Sequence, residues 1–76
     1  MEKRVPELVQ ELSKYCFEKH ISFLVESIHD KKGTNNIELI QDKQPTVKLT
    51  LYQSDDNDPT LANKIAEFLD SLKVTL

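Results

Sequence analysis

Apolar residues recur at three-to-four spacing near both ends of the chain and at every second position in its middle. Val5, Leu8, Val9, Leu12, Tyr15 and Cys16 stand at i, i+3, i+4 and i+7 around Pro6, a residue suited to a first helical turn. At about 100° per residue they form one stripe roughly 120° wide, which predicts a helix from about Pro6 to Lys19. Continuing that helix would point Ile21 away from the stripe and would misplace Leu24 and Ile28. The period changes instead. Ile21, Phe23 and Val25 alternate with Ser22, Leu24 and Glu26, as in a strand. "HDKKGTNN" is polar and holds the only glycine, Gly33, so it reads as a loop. "IELIQ" from Ile37 is a second strand, and "DKQP" a turn with Pro45 where no ladder donor is needed. "TVKLTLY" from Thr46 is a third strand, with Val47, Leu49 and Leu51 alternating against Lys48, Thr50 and Tyr52.

The segment "SDDNDPTLANKIAEFL" from Ser54 starts the last element. Asp58 is a good N-cap and Pro59 a good first helical residue. Leu61, Ala62, Ile65, Phe68, Leu69 and Leu72 make the apolar stripe behind them. Asp55 and Asp56 lie near the positive end of the helix dipole, where carboxylates are mildly stabilising. A cap needs only Asp58, so the two further aspartates are also candidates to face a basic partner. The predicted order is α-β-β-β-α, an α+β fold with a three-stranded antiparallel meander and two helices on one face. The alternative is α-β-β-α with a long first helix. Seventy-six residues make a single domain, 1–76, with a thin core.

In this arrangement the helices cover Ile21, Phe23, Val25, Ile37, Leu39, Val47, Leu49 and Leu51. The other face carries Leu24, Ile28, Ile40 and Tyr52 among Glu26, Glu38, Lys48 and Thr50. Single surface hydrophobes are ordinary, but four on one uncovered sheet face suggest an interface. Leu24, Ile28, Ile40, Tyr52, Asp55 and Asp56 are therefore the candidate partner-binding residues. Edge strands offer a second route, strand addition by a partner or a second copy.

Charge narrows the classes of partner. The net charge is −3, with eight acids and eight bases in residues 1–52 but five acids and two bases in 53–76. A phosphate-binding surface would show a basic stripe. The α-β-β-β-α order is shared with double-stranded RNA-binding domains, which the chain resembles in topology only. Those domains set a lysine-rich helix start against RNA phosphates, whereas Asp55, Asp56 and Asp58 stand here. Direct nucleic-acid binding is disfavoured.

Candidate chemistry is sparse. Cys16 and His20 are i, i+4 on the predicted helix, as in a metal half-site, but no second pair completes it and Cys16 belongs to the core stripe. No metal or cofactor is expected. Glu26 and Glu38 could lie side by side as an acid–base pair, although solvated carboxylates are commoner. No nucleophile elbow, phosphate-binding glycine loop, HExxH or CxxC occurs, so the chain is not read as an enzyme. One cysteine precludes an internal disulfide and suits a reducing cytoplasm. No apolar leader follows Met1–Arg4, and no run approaches the ~20 residues of a membrane span.

Residues 46–69, "TVKLTLYQSDDNDPTLANKIAEFL", resemble the strand–loop–helix core of small accessory proteins encoded by bacterial transposons and conjugative elements. The matching residues are Ser54, Thr60, Leu61, Lys64 and Ile65, over about a third of the chain. The resemblance implies a mobile-element setting and no activity. The expected function is a small, non-enzymatic, cytoplasmic protein-binding module, a bacterial mobile-element or phage accessory or inhibitor protein. A nucleic-acid-handling protein is one concrete partner, and a homodimer is admitted. The alternative is a nucleic-acid-binding domain of α-β-β-β-α type.

Overall fold

The computed structural model describes residues 3–28, 35–52 and 58–75. Helix α1 spans Val5–Glu18, strand β1 Ser22–Ile28, β2 Asn36–Ile40, β3 Thr46–Tyr52 and helix α2 Pro59–Thr75. The change of period at Ile21 is therefore a real helix end, and the long first helix is not formed. Val5, Leu8, Leu12 and Cys16 of α1 are buried against Leu61, Ala62, Ile65, Leu69 and Leu72 of α2 and against Val47 of β3. Phe23, Ile37, Leu39 and Leu51 pack around this core, so both helices lie on one face of the sheet.

The turn between α1 and β1 is locked by backbone bonds. Lys19 closes α1, and His20 follows it with φ at 60°. The Ile21 amide donates to the Cys16 carbonyl at 2.8 Å and the His20 amide to the Phe17 carbonyl at 3.3 Å. This is a Schellman C-cap, with Ile21 and Cys16 buried as its apolar pair. Glycine is the usual occupant of the left-handed position, because a Cβ there is crowded. His20→Gly is expected to raise stability by about 0.5–1 kcal/mol, read as a higher urea midpoint. An unchanged or lower midpoint would show that the histidine side chain is needed there.

The sheet corrects the expected meander. Strand order is β1-β3-β2, with β1 parallel to β3 and β2 antiparallel to it. The last strand is inserted between the first two. Alternation predicts which face a residue occupies, not which strand lies beside which. Connection length is compatible with this order. Residues 41–45 join β2 to β3 as direct neighbours, while 29–35 join β1 to β2. Those seven residues extended reach ~23 Å, ample for the ~10 Å between strands separated by a third. The central position also accounts for burial. Val47 and Leu49 of β3 are fully buried, whereas Ile37 and Leu39 of β2 are half-buried. At the start of β3 the Ser22 amide donates to the Pro45 carbonyl at 3.0 Å, and Gln44 Nε2 donates to the His20 carbonyl at 3.1 Å. At its end the Tyr52 amide donates to Asn35 Oδ1 at 2.9 Å.

Helix α2 begins as its sequence implies. The amides of Thr60 and Leu61 donate to Asp58 Oδ1 at 2.9 and 3.4 Å, and the Ala62 amide donates to the Asp58 carbonyl at 3.0 Å. No helix among the described residues is long and apolar enough to cross a membrane.

Candidate protein-docking surface

Leu24, Ile40 and Tyr52 share the open sheet face by register, but the strand order disperses them. Leu24 on β1 is level with Lys48, and Ile40 on β2 is level with Thr46. A central strand and two residues of offset separate them. In a meander they would have sat on adjacent strands. Leu24 and Ile40 are 49% and 42% exposed, and Tyr52 is half-buried beyond them on β3. Tyr52 is the backbone partner of Ile28, whose side chain lies outside the described residues. Asp55 and Asp56 also lie outside them. The expected single patch is thus several separate apolar spots.

The same insertion removes the carboxylate pair. Glu26 and Glu38 stand on opposite edge strands with Lys48 between them. Lys48 is the register partner of Glu38, and its Nζ is 3.5 Å from Glu26 Oε1. The two carboxylates therefore do not sit side by side, and the expected acid–base pair is not formed. The Lys48–Glu26 ion pair is solvent-exposed and adds little to stability.

Cys16 and His20 are not brought together as a metal half-site. Cys16 is fully buried in the core, while His20 is exposed beyond the helix end, in the left-handed conformation. Burial pushes the Cys16 thiol up from its ordinary pKa, so it is a neutral core group at neutral pH. Among the described residues no cluster of histidine, cysteine or carboxylate side chains could hold a metal ion.

Among the described residues a groove lies on the helix side, at the outer margin of β1. Val9, Gln10, Ser13, Lys14 and Phe17 of α1 and Phe23 and Val25 of β1 line an open groove of about 660 Å³. Val9, Ser13 and Phe17 follow one another at i, i+4 and i+8, a flank beside the buried stripe. Phe23 and Val25 form a shelf that faces this flank across the groove. Val25 was expected in the core, yet it is 41% exposed in this open groove. Phe17 is 83% exposed at the groove's lip.

Phe17 carries no signal in a periodicity argument, because it falls outside the apolar stripe. Its position is itself the signal: an aromatic on the polar side of an amphipathic helix has no folding role to explain it. Of the five large hydrophobic residues that are exposed among the described residues, Phe17 and Val25 line this groove. Among the described residues no strand pairs with the outer side of β1. No protein-family model, curated protein or solved structure matches the chain.

Proposed function

We propose that this chain is a non-enzymatic protein-docking module whose working surface is the outer edge of β1 with the groove beside it. The observation that carries the reading is Phe17, 83% exposed on the wall of an apolar groove beside the outer edge of β1, which no strand among the described residues pairs. An aromatic anchor and a shelf of Phe23 and Val25 supply apolar contact, and the strand edge supplies backbone hydrogen bonds. Lys14 and Gln10 give the groove a polar rim. A bacterial mobile-element or phage accessory protein is the setting that residues 46–69 favour. A nucleic-acid-handling partner agrees with the acidic excess of the last third.

Affinity capture from a lysate of the source organism, compared between variants, tests the reading. The wild-type chain and Ile40→Ser are expected to retain the same protein. Phe17→Ser is expected to reduce its retention by about tenfold or more, as loss of an aromatic anchor does. Equal retention by all three would overturn the assignment of the surface. Retardation of nucleic acid at low salt, with no protein captured, would favour the α-β-β-β-α nucleic-acid-binding class instead.

A further inference from the structure

The backbone of β1 is arranged to pair with itself. The Ser22 amide donates to the carbonyl of Pro45, the residue before its register partner Thr46. Ser22 therefore turns its backbone groups toward β3, and by strand alternation Leu24, Glu26 and Ile28 do the same. The amides and carbonyls of Phe23, Val25 and Ser27 turn outward. Any strand added at this edge must bond to those three residues.

We infer that the occupant of this edge is a second copy of the chain, its β1 antiparallel to the first with the twofold axis at Val25. The inference rests on reading the β1 margin as a docking surface, and it names the partner. Val25 is the midpoint of Ser22–Ile28, so this register overlaps all seven residues and satisfies every outward backbone group. On the helix side Val25 faces Val25 of the second copy, and each Phe23 faces a Ser27, large against small. On the open side each Leu24 faces a Glu26.

The charges also agree with this register. Glu26 is the only charged residue of β1. It meets a leucine rather than its own copy, and it stays beside Lys48 of its own chain at 3.5 Å. Exposed edges are normally guarded against pairing by lysine, proline or a bulge. β1 contains no lysine, proline or glycine. Its exposed apolar residues, Leu24 and Val25, lie on both faces of the strand at the positions that pairing would cover. The groove that Phe23 and Val25 line is open beside this edge, at about 660 Å³. The product is an isologous dimer with a six-stranded sheet, β2-β3-β1-β1-β3-β2, and all four helices on one face.

Sedimentation equilibrium of the purified chain, from micromolar to millimolar concentration, is expected to show a reversible dimer of twice 8.8 kDa. Val25→Lys places two ammonium groups on the twofold axis and is expected to give a monomer with an unchanged circular dichroism spectrum. Phe17→Ser, at a position that plays no part in the core, is expected to weaken the dimer as well. It keeps the test valid should the lysine variant unfold. Amide exchange locates the contact. Exchange at Phe23, Val25 and Ser27 is expected to slow as concentration rises, while Leu24 and Glu26, already bonded to β3, keep one rate. A wild-type monomer at millimolar concentration overturns the inference, and so does a dimer in which those three amides remain fast. Either failure is distinct from failure of the docking reading, which the capture comparison decides separately.

Discussion

Leu49→Ala is expected to leave little folded protein at room temperature. Leu49 is fully buried at the middle of the central strand, with Val25 and Ile37 as its backbone partners on either side. Truncating a buried leucine to alanine costs about 2–5 kcal/mol, because transfer energy is lost and a cavity is left. A domain this small, with no disulfide, has only about 3–5 kcal/mol to lose. The two ranges overlap, so the variant sits at or past the point of unfolding. Chemical denaturation of Leu49→Ala beside Leu39→Ala makes the comparison diagnostic. Leu39 is half-buried on an edge strand, so its truncation is expected to cost clearly less. The β1-β3-β2 order requires that ranking. A meander would place β2 in the middle and reverse it, so a Leu39 variant at least as destabilised as the Leu49 variant would contradict the strand order.

That contrast shows which parts of the fold the sequence makes legible. Leu8, Leu12 and Cys16, and later Leu61, Ile65, Leu69 and Leu72, repeat at a spacing only a helix satisfies, and all of them are buried. The inward strand residues are assigned to the correct face because alternation survives any strand order. Neighbour relations do not follow from alternation, so Leu24 and Ile40 are predicted as one patch and found as two. Connection length does not supply them either: seven residues join β1 to β2 and five join β2 to β3, and extended, either would span ~10 Å past a third strand. The docking groove escapes for a different reason. It exists where the layers fail to cover one another, at Phe17 and Val25, and the width of a helix layer over a sheet is not written in a local pattern. Asp55 and Asp56, by contrast, are legible as chemistry but lie outside the described residues.

Asp58→Ala is expected to cost about 1 kcal/mol, because it removes an acceptor that serves two backbone amides at the start of α2. For a domain of this size that corresponds to a fall in melting temperature of about 4–8 °C. Asp58→Asn separates the two contributions of the aspartate. Asparagine caps as well as aspartate, so only the charge–dipole part, a few tenths of a kcal/mol, should be lost. Salt should therefore narrow the gap between the wild-type chain and Asp58→Asn while leaving the gap to Asp58→Ala nearly intact. Changing Asp55 and Asp56 together to asparagine should barely move the melting temperature, since Asp58 supplies the cap bonds seen among the described residues. If the same double change slows association with a captured partner at low salt, and the difference shrinks at high salt, the aspartates steer binding. If melting falls as far for Asp55→Asn with Asp56→Asn as for Asp58→Ala, the helix start depends on all three carboxylates, and the division between cap and docking charge is wrong.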